Sequence, residues 1–436
     1  MADPEIQSSP RRNQNIYRGL SRSVIVNHYR SDVAGPKERK LLEPAKPLLK
    51  LKDFLTEKVF KWFIHSLAHL FGRKHPFRVY QTVGSSNGIY RMHSHEMESM
   101  DANITVALVA DWATDTAESV QVSNKIKSHN PDYTIHLGDT YYVGDETEVN
   151  DNYLNPGCPW HRGTCGSFAL MGNHEMYSMG IAYYDKLLPS LGILEPTSGK
   201  YDGQKASFFC LQTRHWLIIG LDTGYNSVGF PFVWNSFVFN GKLEPEIIHW
   251  LKNSLKLADD KRGIIFLSHH QYCTAFEKET NYEIPGEQLA EIIGGERRAI
   301  WIWGHEHRFA VYGRHRSEKG ITAFGRCIGN GGMPIELEKM KIDYSMAVSS
   351  NLVSYDCRKR EIIDRDDAVG WNGYAVMNLN KEMLTIEYYD SNKKLLEESW
   401  IADLNTGTIK GSSVKLFETS SDFRIHDSKS IEDMIS

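Results

Sequence analysis

The sequence predicts an α/β fold, and three observations support this prediction. Short apolar segments alternate with amphipathic helical segments between Ile104 and Trp303. A side chain able to bind a metal follows several of the apolar segments. The spacing between Asp111 and Asp139 corresponds to one strand–helix–strand unit. Both carboxylates are therefore expected at the carboxyl ends of neighbouring parallel strands.

The predicted elements follow from apolar runs, which suggest strands, and from three- and four-residue periodicity, which suggests helices. The predicted strands are Ile104–Ala110, Tyr133–Leu137, Ser167–Met171, Ser207–Leu211, Trp216–Leu221, Gly263–Leu267, Ala299–Trp303, Phe309–Gly313, Ile321–Cys327, Tyr374–Leu379, Met383–Tyr389 and Leu395–Trp400. The predicted helices between them are Asp115–His129, Tyr183–Leu188, Pro245–Leu257 and Gly286–Ile293.

The composition is that of an ordinary globular protein. The chain has 436 residues, of which 41% are hydrophobic and 24% charged, and its net charge is −5. This mild charge gives no support for a nucleic-acid partner. The first residues lack the apolar segment of a secretory signal, and no apolar run of about 18 residues occurs. A cytoplasmic location is therefore expected.

Four segments are predicted from changes in composition. Residues 1–47 are polar and basic and are expected to be flexible. Residues 48–102 comprise an amphipathic helix and a connector, residues 103–405 form the main domain, and residues 406–436 are a polar tail. The helix either packs on its own domain or contacts a membrane surface or a protein through residues 48–72.

Six cysteines in a chain of this length do not indicate a disulfide framework. Thiols in a reducing compartment are the expected state. Cys158 and Cys165 bracket a short loop, and a bond between them is left open.

Five short motifs each place a candidate metal ligand just after an apolar run. They are Asp111-Trp112-Ala113, Gly138-Asp139-Thr140-Tyr141-Tyr142, Gly172-Asn173-His174-Glu175, Ser268-His269-His270 and Gly304-His305-Glu306-His307. Each motif alone is weak evidence, because Asp and His are common at strand ends. Together they indicate a site for two cations that activates water against a phosphate ester.

The motif set resembles the calcineurin-like metallophosphoesterase superfamily over about residues 104–333. Most branches carry a metal-binding histidine where this chain has Ala113, whereas a tyrosine three residues after Asp139 is similar to the purple acid phosphatase branch. The resemblance implies a four-layer αββα sandwich of two mixed β-sheets flanked by helices. The predicted N-terminal helix would be an extension of that fold.

The resemblance also implies two metal ions per chain, with Asp139 as the ligand that bridges them. The implied ligands of one ion are Asp111, Asp139, Tyr142 and His307. The implied ligands of the other ion are Asp139, Asn173, His269 and His305. A phenolate favours Fe³⁺, and amide and imidazole ligands favour Zn²⁺, Mn²⁺ or Fe²⁺. Iron paired with zinc, manganese or a second iron is therefore expected.

Two pairs of adjacent residues leave the choice of ligand open. Tyr141 and Tyr142 point in opposite directions if the chain is extended, so only one faces the site. The family position favours Tyr142. His269 matches the family's ligand position, and His270 is expected to support a ligand or to pack in the core.

Three further residues near the ligands are assigned other roles. His174 is expected to stabilise charge on the phosphate or to protonate the leaving oxygen, as its counterpart does in relatives. Glu175 orients that imidazole or caps the following helix. Arg308 follows the last ligand and either contacts the phosphate ester or is a solvated or salt-bridged arginine.

The predicted activity is hydrolysis of phosphate esters by metal-activated water, with monoesters as the preferred substrates. A phosphodiesterase acting on nucleotides is the first alternative. The second is an inactive scaffold that uses the same fold, with its N-terminal helix as the working part. The presence of all the expected ligands argues against the scaffold.

Overall fold

The computed structural model describes residues 73–80, 87–94, 103–227, 241–277, 279–360, 369–426 and 429–436. The predicted segment 1–47 and the predicted helix at 48–72 lie outside these residues. No helix in the described part of the chain has the length and apolar character needed to cross a membrane.

The described residues form β-strands that run through most of the chain. In chain order they are β1 (Ile89–Arg91), β2 (Ile104–Val109), β3 (Tyr133–His136), β4 (Gly166–Ala169), β5 (Gly192–Glu195), β6 (Lys200–Tyr201), β7 (Phe209–Gln212), β8 (Trp216–Gly220), β9 (Gly263–Ser268), β10 (Arg298–Trp303), β11 (Phe309–His315), β12 (Thr322–Ile328), β13 (Leu352–Asp356), β14 (Gly373–Asn380), β15 (Met383–Asp390), β16 (Lys394–Asp403), β17 (Thr408–Leu416) and β18 (Phe423–Ile425).

Helices lie between these strands. The α-helices are α1 (Ala117–Ser128), α2 (Glu146–Val149), α3 (Asn173–Tyr177), α4 (Pro245–Asn253) and α5 (Ile284–Ile293). Short π-helical and 3₁₀ turns occur at Asn150–Leu154, Tyr183–Leu187, Leu188–Ser190, Leu337–Lys339, Ala347–Asn351 and Ile431–Met434.

The strands form two mixed sheets of nine strands each. Sheet 1 has the order β1-β7-β8-β9-β10-β12-β11-β13-β18, and sheet 2 has the order β17-β16-β15-β14-β2-β3-β4-β5-β6. Strands β2, β3 and β4 are parallel neighbours in sheet 2. Strands β8, β9, β10 and β12 are parallel neighbours in sheet 1. The carboxyl ends of the parallel strands of each sheet therefore lie along one edge.

The two sheets pack face to face through alternate residues of their strands. Leu108 and Ile135 of sheet 2 lie in the same buried cluster as Ile218, Ile265 and Ile300 of sheet 1. Successive side chains of a strand point to opposite faces. The neighbours of these five residues along each strand therefore face outwards. The apolar runs of the sequence thus bury both faces of their strands.

Helices cover the outer faces of the sheets. Helix α1 contributes Val122 and Ile126 to a cluster with outward-facing residues of β2. Helix α4 contributes Trp250 and Leu251 to a cluster with outward-facing residues of β8 and β9, and α5 contributes Leu289. These clusters on either side of the inter-sheet core confirm the predicted four-layer αββα sandwich.

The structure differs from the sequence prediction near the C terminus. Within the segment predicted to be a polar tail, β17 pairs with β16 at the edge of sheet 2. Its only fully buried side chain is Ile409, so hydrophobic alternation gives no signal there. Backbone hydrogen bonds to the neighbouring strand hold β17 in place.

No disulfide joins any of the six cysteines, all of which lie in the described part of the chain. Cys158 and Cys165, which bracket a short loop, are therefore not bonded to each other.

Candidate metal centre

Five strands deliver the predicted ligands to one edge of the sandwich. Asp111, Asp139 and Asn173 follow β2, β3 and β4 of sheet 2, respectively. His269 follows β9 of sheet 1, and His305 follows β10. Oxygen donors thus come from sheet 2 and nitrogen donors from sheet 1. The contacts of His269 with Asp139 and Asn173 show that these strand ends lie at the same edge of the sandwich.

The backbone of the ligand loops has a conformation that side chains disfavour. The φ angles of Asp111, Asp139 and His305 are 54°, 72° and 65°, in the left-handed region. Each costs on the order of 1–3 kcal/mol for a residue other than glycine and persists only where surrounding contacts enforce it. Three such positions at one place identify a site whose geometry is maintained at the expense of stability.

Two glycines allow the ligand loops to approach one another closely. A Cβ atom at Gly172 would overlap the carboxylate of Asp139. A Cβ atom at Gly304 would lie 2.5 Å from Oδ2 of Asp111. Glycine is therefore required at both positions for the carboxylates to reach their places.

One group of donors surrounds His269. Its Nε2 lies 3.3 Å from Oδ2 of Asp139, 3.2 Å from Oδ1 of Asn173 and 3.2 Å from Nδ1 of His305. Its Nδ1 lies 3.1 Å from the carbonyl oxygen of Leu137, which fixes the ring and leaves Nε2 facing the other donors. The structure therefore brings together all four residues predicted for the second metal ion.

A second group of donors surrounds the hydroxyl of Tyr141. This oxygen lies 2.7 Å from Oδ1 of Asp111, 3.0 Å from Oδ2 of Asp139 and 2.8 Å from Nε2 of His307. Asp139 thus belongs to both groups. One oxygen from Asp111, one from Asp139 and one nitrogen from His269 lie within 4.8 Å of one another.

The phenol in this group belongs to Tyr141, whereas the sequence resemblance favoured Tyr142. The contact of Tyr142 with the site is through its carbonyl oxygen, which lies 2.6 Å from Nδ1 of His174. Tyr141 is buried and Tyr142 is partly exposed. The structure thus selects the other member of the pair that the sequence left open.

The contacts among the donor oxygens need more than the one proton that Tyr141 supplies. The Tyr141 hydroxyl has one proton, and ionised carboxylates only accept hydrogen bonds. That proton can serve Asp111 or Asp139, and the remaining contact between oxygens is repulsive unless a further proton or a cation lies among them. The hard oxygen and imidazole donors fit Zn²⁺, Mn²⁺ or iron, so the residues suit the implied metal ions.

Burial and neighbouring charges shift the pKa values of the two carboxylates in opposite directions. Burial raises the pKa of Asp111. The charge of His269 opposes this shift, and the charge of Asp139 offsets part of that opposition. Burial also acts to raise the pKa of Asp139, but the charges of His269 and His174 hold it well below its usual range. Asp139 is therefore the carboxylate that stays ionised, as a bridging ligand must.

The imidazoles at the end of β10 stay neutral. Burial, together with the charge of His269, lowers the pKa of His305 to about 3. Burial also lowers the pKa of His307 to about 3, against the opposing charge of Asp139. A neutral imidazole keeps the lone pair that binds a metal ion.

His174 lies beside the donor groups with one ring nitrogen held by the backbone. Its Nδ1 donates to the carbonyl oxygen of Tyr142, and its Nε2 lies 3.8 Å from Oδ2 of Asp139. The side chain is 20% exposed, so Nε2 can reach a molecule entering from solvent. This arrangement fits the predicted role in contacting a phosphate group.

Glu175 supports the loop that carries Asp139. Its carboxylate accepts the backbone N–H groups of Asp139, Thr140 and Gly172 at 3.2, 2.7 and 2.9 Å. Of the two predicted roles, capping the N terminus of α3 is the one seen, through Gly172. The fully buried carboxylate also fixes the position of the Asp139 backbone, a role that sequence reasoning missed.

The predicted phosphate contact, Arg308, lies in a different environment. Its guanidinium is 2.9 Å from Oε1 of Glu279 and 4.1 Å from the ring centroid of Phe276, and its side chain is 5% exposed. These contacts correspond to the alternative prediction of an ion-paired arginine.

His270 is buried next to the second donor group. Its ring centroid is 4.8 Å from that of His269 and 4.6 Å from that of His305. Burial lowers its pKa well below the usual value, so the ring is neutral. The sequence motif gave no indication of its contact with Thr223, whose Oγ1 lies 3.1 Å from Nδ1.

Part of the chain matches the model of a known family. Residues 104–309 match the model of the family described as calcineurin-like phosphoesterase. All the predicted ligands discussed above fall within the matched residues. None of the curated proteins compared with the chain matches it.

Three solved structures show partial similarity to this chain. GAP50, the anchor in the inner membrane complex of Plasmodium, is 13% identical, with a TM-score of 0.44 over 72% of this chain and 89% of that chain. PhoD is 10% identical, with a TM-score of 0.43 over 71% and 72%. The purple acid phosphatase PPD1 from yellow lupin seeds is 11% identical, with a TM-score of 0.39 over 68% and 53%. Similarity at this level does not indicate a function.

Proposed function

We propose that this chain is a phosphoesterase that depends on two metal ions and hydrolyses phosphate monoesters. The match of residues 104–309 to the calcineurin-like phosphoesterase model supports the reaction class. The motif similarity to the purple acid phosphatase branch favours monoesters over diesters.

The observation that carries this proposal is the position of the Asp139 carboxylate. Its Oδ2 faces the Tyr141 hydroxyl on one side, at 3.0 Å, and Nε2 of His269 on the other, at 3.3 Å. A carboxylate between two donor groups is the arrangement that holds two cations about 3.5–4 Å apart.

Each donor group would hold one ion. The first group consists of Asp111, Asp139, Tyr141 and His307, and the second of Asp139, Asn173, His269 and His305. When bound, the ions would lower the pKa of a water molecule and neutralise charge on the phosphate oxygens.

His174 supplies the proton chemistry that the chain itself contributes. Because its Nδ1–H is held by the Tyr142 carbonyl oxygen, Nε2 is the nitrogen presented to substrate. From that position Nε2 can donate a hydrogen bond to a phosphate oxygen or a proton to the leaving oxygen. Its partial exposure leaves the route from solvent open.

The proposal is tested by elemental analysis of the purified protein with a panel of phosphate esters. We expect about two metal ions per chain and faster turnover of p-nitrophenyl phosphate than of bis(p-nitrophenyl) phosphate. The reverse preference would replace the monoesterase with the diesterase. Failure to bind metal, with no turnover after addition of Zn²⁺, Mn²⁺ or Fe²⁺, would favour the inactive scaffold.

We propose iron, with zinc, manganese or a second iron, as the metal pair, since a phenol lies in the first donor group. Fe³⁺ bound by a phenolate gives a visible charge-transfer absorption band. Tyr141→Phe should remove this band, and Tyr142→Phe, the matched control, should leave it. Removal by Tyr142→Phe alone would show that the sequence resemblance identified the ligand correctly. A colourless, active, iron-free protein would exclude the iron–tyrosine pair while leaving the hydrolase proposal intact.

A further inference from the structure

The second donor group has an additional nitrogen beside it. One ring nitrogen from each of His269, His270 and His305 lies within 4.8 Å of the other two. His270 is only 2% exposed, so its ring is not turned towards solvent. This residue falls outside the ligand set that the motif resemblance implies.

Thr223 holds the backbone and the ring of His270 together. The Thr223 hydroxyl oxygen lies 3.1 Å from the backbone nitrogen of His270 and 3.1 Å from its Nδ1. A hydroxyl oxygen has two lone pairs, so it can accept both N–H groups. In that tautomer the proton is on Nδ1 and the lone pair is on Nε2, the form in which histidine binds a metal.

The distances fit a shared ion. Imidazole nitrogens bind Zn²⁺ at about 2.0–2.1 Å, so two ligands on opposite sides of one ion are about 4.2 Å apart. Nε2 of His269 and Nδ1 of His305 are already 3.2 Å apart. One ring nitrogen of His270 lies within 4.8 Å of a nitrogen of each of these residues, so a small movement of the ring brings it within the same range.

We propose that His270 is a further ligand of the second metal ion, which then has three imidazole ligands together with Asn173 and Asp139. This inference rests on the proposed function, because it needs a metal ion in that donor group. It predicts a more nitrogen-rich site than the family motif implies. Such a site favours Zn²⁺ or Fe²⁺ over the oxygen-preferring Mn²⁺.

The test is titration of the metal-free chain with Zn²⁺ by calorimetry, comparing the unmodified protein with His270→Gln. We expect the unmodified protein to bind two ions. The substitution should weaken one of the two sites at least tenfold and leave the other within about twofold. His315→Gln is the matched control, since His315 is also a buried histidine, 6% exposed, whose ring lies beside Tyr272. It should bind both ions as the unmodified protein does.

Ligation and mere positioning are separated by the proton NMR spectrum of the Co²⁺-loaded protein. Each imidazole bound to Co²⁺ gives one strongly shifted, exchangeable N–H signal. We expect four such signals, from His269, His270, His305 and His307, and three in His270→Gln. Three signals in both proteins, with unchanged Zn²⁺ affinity, would overturn the inference.

If His270→Gln does not fold, Thr223→Val tests whether His270 binds the second metal ion. This change removes the hydroxyl that holds Nδ1 and should weaken Zn²⁺ binding at one site about tenfold. Unchanged affinity there would also overturn the inference. If the unmodified protein binds two ions and has phosphatase activity but neither substitution has these effects, only the role of His270 as a ligand is refuted. Absence of metal from the unmodified protein would refute the proposed function as well.

Discussion

Two polar clusters lie buried between the same two sheets, and they differ in how completely their charges are satisfied. The first is the inter-sheet ion pair between Arg326 of β12 and Glu398 of β16, both fully buried. The second is the candidate metal centre at the strand ends. The comparison separates an ion pair that the protein satisfies by itself from a cluster that we propose is completed by a cation.

The inter-sheet ion pair is complete within the protein. Arg326 has five N–H donors. Two of them donate to the Glu398 carboxylate, and three donate to the carbonyl oxygens of Tyr312, Gly325 and Met434. Tyr388 donates a further hydrogen bond to Glu398 at 2.6 Å. Nothing in this cluster calls for an additional ion.

The metal centre, in contrast, is incomplete. One tyrosine proton faces two carboxylate oxygens, and the imidazoles of His305 and His307 are neutral. Positive charge comes from a proton on His269, because the charge of Asp139 overcomes the effect of burial and raises the pKa of His269 to about 9. Its ligand loops also hold backbone angles that cost free energy. A cation bound to this strained cluster can replace the proton on His269 and supply the positive charge that the carboxylates need.

The largest expected effect is that of Asp139→Asn. Because only an ionised carboxylate can bridge two cations, we expect at least a thousandfold loss of phosphatase activity and loss of about one metal ion per chain. Elemental analysis and p-nitrophenyl phosphate turnover measure both. The control is Asp259→Asn, at an exposed turn, which should change neither. Full metal content and activity in Asp139→Asn would contradict the bridging role.

Arg326→Met tests the other cluster. It leaves the Glu398 carboxylate buried without its partner, which should lower the free energy of unfolding by about 3–5 kcal/mol, as measured by urea denaturation. Metal content per folded chain should not change. Arg314→Met, which removes an arginine that is 49% exposed, should cost less than about 1 kcal/mol.

The double variant Arg326→Met with Glu398→Leu sharpens this result. Replacing both partners removes the unpaired charge, so much of the lost stability should return. Equal destabilisation in the single and double variants would mean that packing, and not the uncompensated charge, dominates.

Glu175→Gln should have an intermediate effect. An amide can accept hydrogen bonds at one oxygen only, so it cannot hold the N–H groups of Asp139, Thr140 and Gly172 together. We expect metal affinity or activity to fall about 10- to 100-fold, the usual consequence of losing a group that supports a ligand. Glu291→Gln on the exposed side of α5 is the control. Activity equal to that of the unmodified protein would leave Glu175 as a helix cap only.

The difference between the clusters explains what the sequence could predict. The long apolar strands, such as β2 and β9, were predictable from their hydrophobic runs. Every residue from Gly263 to Ser268 is buried, and those between these two ends are hydrophobic. The ligand positions that follow them were predictable from motif order. The inter-sheet ion pair was not, because Arg326 and Glu398 meet only through tertiary packing.

The choice between adjacent residues was also beyond the sequence. Tyr141 and Tyr142 lie in a loop after β3, where no regular strand fixes which side chain faces inwards. His270 posed the same problem, since its contact with Thr223 depends on how β8 and β9 are placed beside each other. Which of two adjacent side chains faces the site is determined by the three-dimensional arrangement of neighbouring strands.

The smallest expected effect concerns the surface of the sandwich, where charges are paired but close to water. Burial raises the pKa of Glu418, but hydrogen bonds from Lys393 and the Ser420 backbone, with the charge of Arg358, lower it to about 2. Glu418→Gln should therefore reduce the free energy of unfolding by about 1–2 kcal/mol at neutral pH. Since the folded pKa lies below the ordinary value of 4.5, this stabilisation is present above about pH 4.5 and is lost as the pH falls through about 2. Urea denaturation of both proteins between pH 2 and pH 7 measures the difference. A difference that grows towards low pH would show that the ionised form of Glu418 does not stabilise the fold.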